Sequence, residues 1–322
     1  MIGGLLLSGW AFAAPPVAKS GMMLAHEPIL PLPSKIEGLS PEKVALGEKL
    51  FHDVRLSHDE SMSCASCHPI ESGGMDGTPV STGVQGQQGG INAPTVLNSR
   101  YNLAQFWDGR ARDLQEQAEG PVANPIEMGA KWPDVVKKLS KDQAYVQAFK
   151  QLYRQRGLTK ETVTDAIATY EMTLITPHAP FDRYLRGEHD AISQEAVDGY
   201  RLFKSYGCIA CHQGINVGGN MYQTFGLFGN YFQERGSPIT EGDFGRFNVT
   251  GKEEDRFSFK VPSLRNIALT APYFHDGSTE DLSSAVQVMA KYQLGRHLTN
   301  DQVLKIVAFL QTLTGKQPEV TP

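Results

Sequence analysis

One five-residue pattern, present twice, constrains this chain more than any other feature: Cys64-Ala65-Ser66-Cys67-His68 and Cys208-Ile209-Ala210-Cys211-His212. Cys-x-x-Cys-His is the attachment signature of a c-type haem. The two thiols add across the porphyrin vinyl groups, and the adjacent imidazole becomes the proximal ligand of the iron. A bare Cys-x-x-Cys also suits a redox dithiol or half of a zinc site, but neither explains histidine as the next residue, twice. All 4 cysteines lie in these strings, so none remains for a structural disulfide. Cys64, Cys67, Cys208 and Cys211 are therefore the expected anchors of two haem c groups, with His68 and His212 as iron ligands. Redox chemistry is the expected outcome.

At 322 residues the chain is long enough for two domains. Covalent haem attachment takes place outside the cytoplasm, so an export signal is expected. The apolar Leu5-Leu6-Leu7 run and Ala11-Phe12-Ala13-Ala14 suit a signal peptide over residues 1–20. No Lys or Arg precedes them, as a truncated or alternative start would leave. No stretch is long and apolar enough for a membrane span, and the periplasm is the expected compartment. A net charge of −5 without a basic run argues against nucleic acid as a partner. A mildly acidic surface suits a basic redox partner.

Helical signals dominate. Ser40 and Pro41 open one amphipathic segment, Thr159 a second, and Thr299 with Gln302 a capping box for a third that Gly315 is expected to stop. Each haem string follows a similar lead-in, Gly47-Glu48-Lys49-Leu50-Phe51 or Gly199-Tyr200-Arg201-Leu202-Phe203. The expected fold is mainly α: two cytochrome c-like helical domains, each with one covalent haem c, joined by long loops. Residues 21–177 form the first domain and 178–322 the second, divided where proline interrupts Thr176-Pro177-His178-Ala179-Pro180. Gly73 to Gly90 and Gly214 to Gly251 read as long loops with at most a short hairpin.

Several further strings, in order along the chain, carry a family likeness. They are Ala104-Gln105-Phe106-Trp107-Asp108-Gly109-Arg110, Gln117-Ala118-Glu119-Gly120-Pro121, Glu127-Met128, Pro262-Ser263-Leu264-Arg265-Asn266 and Leu269-Thr270-Ala271-Pro272-Tyr273-Phe274-His275. Together they resemble the bacterial di-haem cytochrome c peroxidases over nearly the whole chain. The resemblance implies a periplasmic enzyme that reduces hydrogen peroxide to water at the N-terminal haem. Electrons would enter at the C-terminal haem from a small c-type cytochrome or cupredoxin. It implies Met289 as second ligand of that haem; after His212 the only other methionine is Met221. Gln117 and Glu127 would lie over the peroxide-binding iron, with Glu116 and Glu119 as reserve acids. A carboxylate there can shift a proton between peroxide oxygens. Trp107 would stand between the haems and His275 beside the second. Asn92, Thr270 and Pro272 would bind Ca²⁺, and a second copy of the chain is a further expected partner.

The chain departs from that pattern at one place. Many relatives carry a loop histidine that blocks the peroxidatic iron at rest. Aligned on Asn92-Ala93-Pro94-Thr95, Val84 occupies its position, and no histidine lies between His68 and His178. An open iron is expected, with Met75 and His58 as the remaining substitutes. The alternatives to a peroxidase are a di-haem oxidase acting on a protein substrate and a non-catalytic electron-transfer protein. Relatives of the first kind carry tyrosine in place of Met289.

Overall fold

The structure, a computed structural model, describes residues 27–318, so the expected export segment lies outside the described residues. Local chemistry sets the helix starts. Helix α1, Pro41–Phe51, begins where Ser40 Oγ accepts from Lys43 N, with proline in the first turn. Helices α2 (Leu114–Ala123), α3 (Trp132–Leu139) and α4 (Gln143–Tyr153) follow, α2 capped by Asp113. Thr159 and Thr162 form a capping box at α5, Lys160–Glu171. The second half contains α6 (Pro180–Leu185), α7 (Gln194–Tyr206), α8 (Leu282–Leu294) and α9 (Asn300–Gln311). Thr299 and Gln302 cap α9 as expected. Its end differs from expectation, because α9 stops at Gln311 rather than running to Gly315. Gly315 serves the junction between the halves: a Cβ there would sit 1.9 Å from Thr176 O.

The two lead-in glycines have one physical cause. Helix α1 crosses α5 and α7 crosses α9, each pair touching backbone to backbone at the glycine. A Cβ on Gly47 would lie 2.0 Å from Ala166 O, and one on Gly199 only 1.8 Å from Lys305 O. Each helix leading into a haem string is thereby clamped to the helix that closes its half. Gly199→Ala is expected to cost about 1–3 kcal/mol, the usual range for overpacking a close contact. Denaturant unfolding of the haem-loaded protein reads this, and an unchanged midpoint would contradict the crossing.

Two hydrophobic clusters result. Leu50, Phe51, Leu97, Val122, Phe149 and Ile167 centre the first; Phe181, Tyr200, Phe203, Ile306, Phe309 and Leu313 centre the second. Ile29 packs into the second cluster, and its segment runs beside Gly214. Beyond the expected short hairpin, the Gly214–Gly251 segment holds two four-residue helical turns, Tyr231–Glu234 and Phe247–Thr250. Strand β1 (Tyr222–Thr224) pairs antiparallel with β2 (Ser258–Lys260), Gln223 opposite Phe259. Phe225, Tyr231, Phe232, Phe259 and Tyr292 form a third cluster there. These aromatics have no helical or strand period, so burial organises them only after the chain has folded back.

The halves also share an internal repeat. Pro94, Asn98, Phe106, Asp108, Gly109, Asp113 and Leu114 recur at one constant offset as Pro262, Asn266, Phe274, Asp276, Gly277, Asp281 and Leu282. Asn98 and Asn266 both have φ +60° and both donate to Thr176 Oγ1 at 2.9 Å, between the halves. Asparagine tolerates that left-handed backbone better than most residues. Across the interface Asn92 N donates to His275 O at 2.7 Å, and Lys260 N to Trp107 O at 2.8 Å. These bonds are equivalent under the repeat, so the halves meet with approximate two-fold symmetry.

Candidate active site

Each Cys-x-x-Cys-His string is a tight turn that presents its side chains to a cavity. Cys64–Cys67 is one helical turn, and His68 N closes it on Cys64 O at 3.0 Å. In the second half His212 N closes the same way on Cys208 O at 3.0 Å. His68 Nδ1 lies 3.0 Å from Gly74 O. A carbonyl only accepts, so Nδ1 carries the proton and Nε2 is left to ligate. Burial lowers the proton affinity of both imidazoles, that of His212 to about 4, which keeps them in the neutral ligating form. The four thiols form no disulfide. Burial pushes Cys64 up to about 12 and Cys208 to about 11, the opposite of a reactive dithiol.

Two cavities open beside the strings, and their linings suit haem. The first, about 790 Å³, is lined by Cys64, Cys67 and His68, facing Gln117, Pro121 and Glu127. The second, about 250 Å³, is lined by Cys208, Cys211 and His212, with Met289 and His275. Asn92, Thr270 and Pro272 share the wall of the second cavity. Trp107 belongs to both walls; its Nε1 donates to Asn92 O at 2.9 Å and its ring meets His275 edge-on at 6.3 Å.

Other sequence candidates fall elsewhere. Met221 and His58 line neither cavity, and Met75 lines the second rather than the first, which His68 lines. Glu116 accepts from Arg112 N, and Glu119 pairs with Lys160 at 2.8 Å, so both reserve acids are engaged away from the first cavity. Among the described residues, Asp243, His275 and Asp276 are the one His/Cys/Asp/Glu group close enough to hold a metal ion. Arg235 already fills it, donating to both carboxylates at 2.8 Å. Burial pushes the Asp243 carboxyl up, but hydrogen bonds from Arg235 and His275 outweigh it and hold the group well below the usual range.

Glu127 is built into a turn. Its N–H donates to Asn124 O, and its Oε1 accepts from Asn124 Nδ2 at 2.6 Å. Burial raises its carboxyl above the ordinary range, opposed by the Asn124 hydrogen bond and the Arg110 charge. Val84 supports this turn: it is buried, its N–H donates to Glu127 O at 2.8 Å, and its side chain is off the cavity wall. The residue in the loop histidine's place thus props the acid. The repeat adds a second asymmetry, because the offset that pairs α2 with α8 pairs Pro121 with Met289. The first cavity has a side chain without a ligating atom where the second has a thioether.

Sequence reasoning passed over two lining residues, Glu171 and Lys260. Glu171 is 5% exposed, its Oε2 has no hydrogen-bond partner, and burial pushes it up to about 8. The signal was available: it follows Val163 and Ile167 at helical spacing on the buried face of α5.

Residues 41–190 match the family model for di-haem cytochrome c peroxidase. Over 305 residues the chain is 48% identical to the cytochrome c551 peroxidase of Nitrosomonas europaea, covering 94% of this chain and 88% of that protein. It is 49% identical over 292 residues to the cytochrome c peroxidase Ccp of Escherichia coli, covering 90% of this chain and 62% of that longer protein. The crystal structure of a MauG-like protein associated with microbial copper homeostasis superposes with a TM-score of 0.76 at 28% identity, covering 91% of this chain and 95% of the other. Two haem strings facing two cavities, on a fold and a sequence shared along nearly the whole length, have one consistent reading: the chain belongs to the di-haem cytochrome c peroxidase family.

Proposed function

We propose that this protein reduces hydrogen peroxide to water in the periplasm, using electrons from a small c-type cytochrome or cupredoxin. The observation that carries this reading is the first cavity itself. It joins a haem string to a half-buried carboxyl of raised proton affinity, and it has Pro121 where the other half has Met289. When bound, the haems supply an iron coordination position and the two reducing equivalents. His68 would hold the haem of the first cavity, and His212 with Met289 that of the second. A His/Met pair raises the potential, which suits the haem that receives electrons.

Glu127 takes the proton from the inner oxygen of peroxide and returns it to the outer one, which leaves as water. Two protons and two electrons in all convert one peroxide to two waters. Asn124 Nδ2 fixes one Glu127 oxygen, leaving the other for peroxide. Gln117 orients the peroxide by its amide, and Trp107 bridges the two cavities. Asn92 spends its amide nitrogen on Thr78 O and Pro79 O, at 2.8 and 3.3 Å, which leaves Oδ1 as its acceptor. That oxygen, with backbone oxygens of Thr270 and Pro272, suits Ca²⁺, a hard cation that would keep several waters there.

Because Val84 sits off the cavity wall, the oxidised protein should show a high-spin ferric signal by electron paramagnetic resonance. It should also turn over peroxide with reduced cytochrome c, without prior reduction. Two low-spin haems and no high-spin signal would refute the open site. Absence of turnover in protein that carries both haems would refute the peroxidase reading.

A further inference from the structure

Lys260, at the end of β2, is only 6% exposed and lines the second cavity. Its backbone N–H is used by Trp107 O, but its ammonium makes no hydrogen bond or ion pair with any described residue. The charge that acts on it most is Asp108, whose carboxylate is already paired with Arg110 at 3.1 Å. Burial pulls the ammonium down to about 8. Burying a cation without a partner is costly, so such groups are normally paired. The repeat sharpens the contrast: the equivalent residue in the first half is Asn92, neutral and with its amide nitrogen engaged. Among the described residues lining the second cavity, Lys260 is the one lysine or arginine.

Thioether attachment consumes the vinyl groups of a haem and leaves two propionate carboxylates. We propose that Lys260 is the counter-ion of a propionate of the C-terminal haem, and that its charge helps to set the reduction potential of that haem. The proposal rests on a haem c occupying the cavity beside His212. A cation next to the macrocycle favours the reduced state, which is one charge less positive, and a low-dielectric wall strengthens the effect. Lys260 is also bonded to Trp107 through its backbone, so the same residue joins the charge at the second haem to the indole between the cavities.

The test uses the haem-loaded protein and two variants, with the potential of the His/Met haem read by spectroelectrochemistry in the absence of peroxide. Lys260→Met is expected to lower that potential by at least about tenfold in the one-electron equilibrium, ~59 mV. Lys260→Arg, which keeps the charge, should retain most of it. An unchanged potential in Lys260→Met, with both haems attached, overturns the proposal. Should Lys260→Met yield no loaded protein, the redox difference infrared spectrum decides. Lys260→Arg must shift a propionate carboxylate band relative to the wild type, and an unmoved band overturns the contact. Neither readout needs peroxide turnover. Failure of the peroxidase reading therefore stays distinguishable, and a haem count below two would be the failure of the cofactor premise.

Discussion

Glu127→Gln is expected to lower peroxide turnover by about 10²–10⁴-fold, the usual contribution of a positioned proton-transfer group. The substitution nearly preserves shape. A glutamine Oε1 can still accept from Asn124 Nδ2, and the backbone bond from Val84 N is untouched. Only the ability to take and return a proton is lost. Steady-state oxidation of reduced cytochrome c measures the effect, with haem content checked in parallel; a loss smaller than about threefold would remove Glu127 from the proton-transfer role. The pH profile supplies a second check. The carboxylate form must accept the first proton, and that form disappears as pH falls through the group's pKa. Burial raises that pKa, so the acidic limb lies above the range of an exposed glutamate, and the variant should lack it.

Arg265→Met is expected to destabilise the protein by about 3–5 kcal/mol, the cost of breaking a buried pair by removing one partner. Arg265 and Asp182 have no exposed side-chain surface. The guanidinium reaches both Asp182 oxygens, at 3.0 and 3.2 Å, and donates to Ile215 O at 2.6 Å and Leu30 O at 2.8 Å. Its loss strands a buried carboxylate and two carbonyls together, and releases the Ile29 segment from the second core. Guanidinium unfolding of the loaded protein measures the change. Adding Asp182→Leu should recover part of it, because the uncompensated charge then disappears. A single variant as stable as the wild type would show that the pair is dispensable.

Much of the second half's framework was legible because it is local. The capping box at Thr299 needs only Gln302 nearby, and each haem string carries its anchors and ligand within five residues. The helical turns of the Gly214–Gly251 segment are not legible in the sequence because its order comes from aromatics that meet only across the fold. Lys260 was passed over for the same reason: a lone lysine in a strand looks solvated until Trp107 and the second cavity close around it. Glu171, by contrast, could have been found from the spacing of α5 alone.

By itself the amino-acid order determined the chemistry of attachment and the helix starts, which depend on residues a few positions apart, and the doubling of the chain, which shows as the same strings recurring at one offset. Only the tertiary structure decided how the two halves differ. Val84 props Glu127 instead of lining the cavity, and Lys260 is buried against one cavity with its ammonium unpaired among the described residues. The physical reason is distance along the chain: such differences arise when segments 43 residues apart (Val84 and Glu127) or 153 apart (Trp107 and Lys260) are pressed together, and no local pattern records which side chain will face which.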